Sequence, residues 1–176
     1  VRAWNKTYLL PTIITNCSNN FGPWQFPEKL IPNTILKALS KEKIPVYGNG
    51  KNIRDWLFVD DHINALLLIS QKAISGSNYC IGGDCEKKNI DLVLKICKVL
   101  ETFHNDNFDY SQLIEFVPDR PGHDLRYAVD SLKLKRDFNW CLKNDFETNL
   151  KNTVKWYLEH SEWCKEISNK SNFQGE

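Results

Sequence analysis

The sequence predicts an α/β fold, because segments typical of buried parallel strands alternate with amphipathic helices along the chain. The clearest strand is the run 9–15, which is short, apolar and rich in β-branched residues, as suits a strand covered on both faces. The clearest helix spans 28–41, where apolar residues recur at helical spacing and Pro32 lies close enough to the start to be tolerated. The chain contains no internal repeat.

The remaining elements are predicted from the same spacing rules and from turn and cap residues. Residues 1–8 fit the last turns of a helix, and an Asn-, Gly- and Pro-rich loop follows at 16–23. Further strands are expected at 45–47, 56–59, 78–81 and 114–117, with a tight turn at 48–50. Further helices are expected at 60–69, capped by Asp60 or Asp61, and at 90–100, 131–134 and 146–158. A surface loop is predicted near 104–109, and a frayed polar tail from 168.

Composition excludes several classes of protein. With 23 Lys and Arg against 22 Asp and Glu, the net charge of +1 gives no broad positive field for nucleic acid. No apolar run approaches the roughly 20 residues of a membrane span, and no secretory segment opens the chain, so we expect a cytoplasmic protein. The six cysteines form no CxxC pair and no metal-ligand spacing, so we expect reduced thiols. The lack of methionine suggests a piece of a longer protein.

The loop after the first strand is a candidate binding segment, since ligands bind beyond the carboxyl ends of strands in open α/β sheets. Asn19 and Asn20 offer amide groups that could fix a ribose, a sugar hydroxyl or a carboxamide. The same residues would equally build a plain turn.

Two basic residues are candidates for binding phosphate. Lys29 opens a predicted helix, where free backbone N–H groups favour an anion, although a solvated lysine is the alternative. Arg54 stands in an apolar and aromatic setting, where a guanidinium usually has a bidentate anionic partner. That partner could be a ligand, or only Asp55 or Asp60.

The segment 119–124 concentrates charge, a proline and a glycine after a predicted strand. Arg120, His123 and the nearby Arg126 could close over a diphosphate. An exposed loop with internal salt bridges is the alternative.

Two dinucleotide-enzyme patterns are rejected. Tyr47 and Lys51 have Tyr-x-x-x-Lys spacing, but that chemistry needs both side chains on one helix face, and the intervening glycines predict a turn. The eight glycines form no GxGxxG fingerprint.

Segments at 11–23, 26–32, 45–48, 53–56, 79–83, 86–89 and 119–124, in this order, carry a likeness to a known family. They resemble the extended short-chain dehydrogenase/reductases, and within them the dTDP-glucose 4,6-dehydratases. Arg-Asp-Trp at 54–56 and Gly-Pro at 22–23 are also shared with sugar-nucleotide epimerases and decarboxylases. The segments at 26–30 and 119–123 are the ones that look specific to the dehydratases.

The resemblance implies roles for individual residues in binding a dTDP-glucose substrate and an NAD cofactor. Asn19 would contact the hexose or diphosphate, and Asn20 would lie near the nicotinamide. The thymidine and phosphates would be walled by Lys29, Leu30, Pro45, Val46 and Tyr47. The diphosphate and nucleoside would be held by Arg54, Asn89, Asp119, Arg120, Pro121, Gly122 and His123.

The resemblance also implies a division of the chain. Residues 1–25 would end an NAD-binding Rossmann domain, 26–165 would form the sugar-nucleotide-binding domain, and 166–176 would be a polar tail. The glycine-rich loop and the catalytic tyrosine and lysine would lie upstream, so we expect this C-terminal portion to be inactive alone, without a catalytic or metal site. The parent protein would be a homodimeric NAD-dependent lyase. The alternatives are a related epimerase or decarboxylase, or a non-catalytic nucleotide-sugar binding module.

Overall fold

The computed structural model describes residues 1–104 and 107–170, and within them strands and helices alternate as predicted. The helices are α1 (Arg2–Tyr8), α2 (Leu30–Leu39), α3 (Val59–Lys72), α4 (Asn89–Phe103), α5 (Leu132–Phe138), α6 (Phe146–Glu159) and α7 (Ser161–Lys170), with a 3-10 turn at Tyr110–Leu113. The strands are β1 (Ile14–Cys17), β2 (Asn19–Phe21), β3 (Ile44–Tyr47), β4 (Ile53–Phe58), β5 (Asn78–Ile81), β6 (Glu86–Lys88), β7 (Ile114–Val117) and β8 (Arg126–Tyr127).

Strand β4 is the centre of the largest sheet. It pairs in parallel with β2 through its second half and with β8 through its first half, and antiparallel with β6. Two further parallel pairs join β1 to β5 and β3 to β7. Only Ser18 separates the carboxyl end of β1 from β2, which lies beside the second half of β4.

The pleat of β4 supplies side chains to two hydrophobic clusters. Trp56 belongs to the larger cluster, which α2, α4 and α6 build with β3. Leu57 belongs to the smaller cluster, which α3, α5 and β5 build. Because successive strand side chains point to opposite faces, neighbouring residues of β4 serve different environments.

The predicted strand 9–15 is wrong in its extent and burial. Strand β1 begins only at Ile14, and the preceding Leu9 and Leu10 are 84% and 47% exposed. Leu9 takes the left-handed conformation that ends α1, so the first residues of the predicted strand belong to the helix end and to the connection that precedes β1. The predicted loop 16–23 is likewise partly strand, because β2 places Asn19 and Asn20 in register with Trp56 and Leu57.

Other boundaries differ by shorter amounts. Strand β4 starts at Ile53, so Arg54 lies inside it, and β6 and the 3-10 turn were not predicted. Asp60 and Asp61 lie in the first turn of α3 and do not cap it. Helix α7 runs to Lys170, so the expected tail is helical as far as that residue, and 171–176 lie outside the described residues. The expected surface loop includes 105–106, which also lie outside them.

All six cysteines are free thiols. In the described part of the chain, no helix combines the length and apolar character needed to cross a bilayer.

Candidate functional site

A cleft of about 260 Å³ opens where β1 passes into β2. Its lining residues come from four places in the sequence. Three of these residues, Asn19, Arg54 and Arg120, were predicted as binding residues. The lining residues are Ser18, Asn19, Arg54, Arg120, Asp124 and Tyr127. These residues lie close together because β4 pairs in parallel with β2 along its second half and with β8 along its first half.

Arg54 is a buried cation without an internal counterion. Its side chain is held in β4 with the residue only 7% exposed, and Nη1 donates to the carbonyl oxygen of Ile53 at 2.7 Å. In the described ranges 1–104 and 107–170, no carboxylate lies within 4.0 Å of the guanidinium. The alternative that Arg54 pairs with Asp55 or Asp60 is therefore wrong. A buried guanidinium in this state is suited to an external anion.

Asp55 does not pair with Arg54 because the pleat turns the two side chains to opposite faces of β4. The Asp55 carboxylate instead accepts hydrogen bonds from the backbone N–H groups of Gly83 at 2.9 Å and Cys85 at 2.8 Å. Gly83 is required there, since a Cβ would lie 1.8 Å from the carbonyl oxygen of Trp56. Asp55 thus fixes the segment between β5 and β6.

Two oxygen atoms at the cleft lack hydrogen-bond partners in the described part of the chain. Ser18 Oγ and Asn19 Oδ1 are buried and unpaired, although buried polar atoms are normally satisfied. The Ser18 hydroxyl can donate or accept, and the Asn19 oxygen can accept from a hydroxyl group. Together with Arg54 and Arg120, these atoms could recognise a ligand that carries both negative charge and hydroxyl groups.

The loop 119–123 reaches the cleft through Arg120 alone. His123 Nδ1 lies 2.6 Å from Asp119 Oδ1, which also accepts from the backbone N–H of Arg120 at 2.9 Å. The hydrogen bond from His123 lowers the pKa of Asp119 below its usual value. Pro121 and Gly122 are exposed and absent from the cleft lining.

The predicted closure of two arginines and a histidine over a diphosphate needs correction. Arg126 makes a bidentate pair with Glu86, with Nε and Nη2 at 2.6 and 2.5 Å from its carboxylate oxygens. His123 is engaged by Asp119. Arg126 and His123 are therefore paired within the protein, as the alternative prediction held. Arg120 is the arginine of that segment that lines the cleft.

The predicted wall residues lie apart from the cleft lining. Tyr47 ends β3 with 48% of its surface exposed and lies beside Val117 of β7, immediately before the loop 119–123. Pro45 is half-buried, and Val46 is 2% exposed within the larger cluster; their place in the wall around the thymidine and phosphates stays a prediction.

Lys29, Leu30 and Asn89 are all at helix starts. Lys29 occupies the N-cap position of α2 with its Nζ 2.6 Å from Glu28, and Leu30 packs against the larger cluster. Asn89 begins α4, and its Oδ1 is buried without a partner among the described residues. The helix start at Lys29 therefore carries an exposed ion pair, not a preformed anion site.

Asn20 is held within the protein. Its Nδ2 donates to the carbonyl oxygen of Ser18 at 3.0 Å, and its Oδ1 lies 2.7 Å from Nδ1 of His62 on α3. Burial lowers the pKa of His62, which favours the neutral imidazole.

Comparison with known proteins assigns the chain to a family. Residues 1–153 match the family model described as GDP-mannose 4,6 dehydratase. The chain belongs to this family. Over 171 residues it is 52% identical to a dTDP-glucose 4,6-dehydratase of Escherichia coli, covering 95% of this chain and 47% of that protein.

Solved structures of family members have the same fold. A dTDP-glucose 4,6-dehydratase from Bacillus anthracis, solved with NAD, has a TM-score of 0.86 and 44% identity, covering 94% of this chain and 50% of that one. One from Streptomyces venezuelae, solved with NAD and a second ligand, has a TM-score of 0.87 and 37% identity, covering 94% and 49%. The predicted α/β fold and the resemblance to dTDP-glucose 4,6-dehydratases are confirmed. This chain spans about half the length of the relatives it matches.

The sequence has no glycine-rich dinucleotide fingerprint. The amide of Asn20, the residue expected near the nicotinamide, is engaged by Ser18 and His62, and its position near NAD stays a prediction. Tyr47 ends β3, and a turn at 48–50 separates it from Lys51, so the two residues do not share a helix, as predicted.

Sequence reasoning missed Ser18, His62, Asp124 and Tyr127. Tyr127 closes the cleft by donating from its hydroxyl to the carbonyl oxygen of Cys17 at 3.1 Å, across 110 residues of sequence. No local pattern marks such a residue, because its position depends on the pairing of β8 with β4. Ser18 could have been found, since it stands beside Asn19 in the same segment.

Proposed function

We propose that this chain is the sugar-nucleotide-binding portion of a dTDP-glucose 4,6-dehydratase, an NAD-dependent hydro-lyase acting on a small-molecule substrate. The observation that carries the proposal is the cleft that joins an uncompensated buried arginine, Arg54, to the unpaired oxygens of Ser18 and Asn19. Identity near 50% to proteins named dTDP-glucose 4,6-dehydratase supports the choice of substrate.

The cleft matches the chemistry of a nucleoside diphosphate sugar. Arg54 would bind phosphate oxygens in bidentate fashion, because a planar guanidinium fits two oxygens of one phosphate group. Arg120, which is exposed and lines the same cleft, would add a second positive charge. The oxygens of Ser18 and Asn19 would pair with hydroxyl groups of the hexose, and the carboxylate of Asp124 offers a further acceptor.

Binding and orientation are the contribution of these residues to the reaction. When bound, NAD would supply the temporary oxidation of the hexose at C4 that allows water to be lost from C5 and C6. The residues described here would hold the diphosphate and hexose so that the reacting carbons face the remainder of the enzyme. A homodimeric assembly and a cytoplasmic location remain predictions about the parent protein.

The test is product formation by the full-length protein. We expect dTDP-glucose with NAD to yield a 4-keto-6-deoxy sugar nucleotide, detected by its absorbance in alkali, and no product from residues 1–176 alone. GDP-mannose and UDP-glucose serve as matched nucleotide sugars that should not be turned over efficiently. A 4-epimerised product from any of the three would contradict the proposal and favour an epimerase, and turnover by residues 1–176 would show that the chemistry lies in this chain.

A further inference from the structure

We propose that His62 is a positioning residue of the cleft, which fixes the amide of Asn20 and, through it, the backbone that presents Ser18 and Asn19. The inference deepens the proposed function and rests on it for the identity of the ligand. His62 is absent from the cleft lining, so it acts through its neighbours and not by contact with the ligand.

The hydrogen bonds of Asn20 define which atom His62 meets. Asn20 Nδ2 donates to the carbonyl oxygen of Ser18 at 3.0 Å and approaches Cys17 Sγ at 3.4 Å. This leaves Oδ1 toward His62, and a carbonyl oxygen can only accept. His62 must therefore donate from Nδ1, across the observed 2.7 Å.

His62 is held in place by the fold and not by the ligand. It lies in the first turns of α3, which follows β4 directly, and Asn20 pairs with Leu57 of that strand. Because α3 begins immediately after β4, the fold sets the distance between His62 Nδ1 and Asn20 Oδ1. His62 is half-buried, which lowers its pKa and favours the neutral imidazole, and in that form the Nδ1–H tautomer is the one that satisfies Asn20.

The amide of Asn20 connects this contact to the cleft. By donating to the carbonyl of Ser18, it holds the peptide group that precedes Asn19. The backbone carbonyl of Asn20 is braced separately by Nε2 of Gln25 at 2.8 Å. Without His62, the amide could rotate or reorient toward water, and the unpaired oxygens of Ser18 and Asn19 would lose their fixed positions relative to Arg54.

The first experiment reads the tautomer directly and needs no ligand. In the full-length protein with ¹⁵N-labelled histidine, long-range ¹H–¹⁵N spectra near pH 8 should show His62 protonated on Nδ1. Asn20→Ala should shift this signature toward the Nε2–H tautomer. His160 is the matched control, because its Nδ1 lies 2.8 Å from the carbonyl oxygen of Trp156 and should keep its tautomer in the Asn20 variant.

The second experiment measures dTDP affinity by calorimetry in the full-length protein. We expect His62→Leu to raise the Kd about three- to tenfold, the range for one lost hydrogen bond. His62→Asn should largely restore binding, since its Nδ2 occupies the position of the imidazole Nδ1 and can donate. Asn20→Ala combined with His62→Leu should cost no more than the larger single effect. His160→Leu, which removes an imidazole outside the cleft, should leave the Kd unchanged.

The outcomes separate this inference from the proposed function. If the unmodified protein binds no dTDP, the proposed function fails and the inference fails with it. If it binds dTDP while His62→Leu binds equally well, or His62 carries its proton on Nε2, the positioning role alone is overturned. Additive effects of the two substitutions would overturn it too. A lower melting temperature in His62→Leu with unchanged Kd would indicate a purely structural residue.

Discussion

Substitution of Arg54 by glutamine in the full-length protein should weaken dTDP binding far more than the same change at Arg120. Arg54 is 7% exposed and spends one hydrogen bond on Ile53, so its other donors are available to phosphate in a poorly solvated site. Hydrogen bonds to charged groups contribute about 1.5–3 kcal/mol, which corresponds to a Kd raised about 10- to 150-fold. Arg120 is exposed, so its charge pair is worth only about 0.2–1 kcal/mol, or at most about fivefold.

Calorimetric titration with dTDP checks this ranking, and Arg126→Gln is the matched control. Arg126 lies on β8 next to the cleft residue Tyr127, but its guanidinium is taken by Glu86, so its loss should leave the Kd unchanged. Thermal unfolding without dTDP guards against misfolding, and Arg54→Gln should melt close to the unmodified protein because no carboxylate loses its partner. Equal effects at Arg54 and Arg126, or a larger effect at Arg120, would refute the reasoning from burial and pairing.

Three further predictions concern the framework of the cleft. Asp55→Ala should lower the free energy of unfolding in urea by about 2–4 kcal/mol, since it leaves buried backbone donors such as Gly83 N–H unpaired; Asp55→Asn, which keeps an acceptor, should cost less. Gly83→Ala should cost at least about 3 kcal/mol or prevent folding, because its methyl group would lie 1.8 Å from the Trp56 carbonyl oxygen; a near-neutral effect in the same assay would contradict that contact. Because His123 lowers the pKa of Asp119, that interaction should stabilise the loop fully above the unfolded value of 3.8 and be lost as pH falls through the folded pKa. Acid unfolding curves should therefore lose part of their steepness in Asp119→Asn, and identical curves would show that the pair does not contribute.

The sequence was sufficient to select Arg54 but not to identify its neighbours. A guanidinium between apolar and aromatic residues indicates an anionic partner whatever the fold; the structure shows that Arg54 is buried, and its anionic ligand stays a prediction. Whether Arg126 and His123 are engaged within the protein depends on their contacts with Glu86 and Asp119, which no local sequence pattern indicates. Arg126 meets Glu86 only because β8 and β6 both pair with β4, from positions 40 residues apart.

Burial failed as a prediction where composition alone had to locate the start of a strand. The run 9–15 has the composition of a strand covered on both faces, yet β1 begins only at Ile14, and Leu9 ends α1 and remains exposed. Composition reports what a segment can bury, whereas the packed neighbours determine what it does bury.

The order Arg-Asp-Trp in β4 explains why one short motif can serve several sugar-nucleotide enzymes. Strand alternation sends Arg54 to the cleft, Asp55 to the backbone of the segment between β5 and β6, and Trp56 to the larger cluster. Under the proposed function, only Arg54 would touch the ligand, and a guanidinium that binds diphosphate does not distinguish one base or hexose from another. Asp55 and Trp56 are framework residues, and Arg54 would recognise the diphosphate that nucleotide sugars share. Discrimination between substrates must come from elsewhere in the site, and the segment bearing Asn19 and the loop bearing Arg120 are the parts of this chain that reach the same cleft.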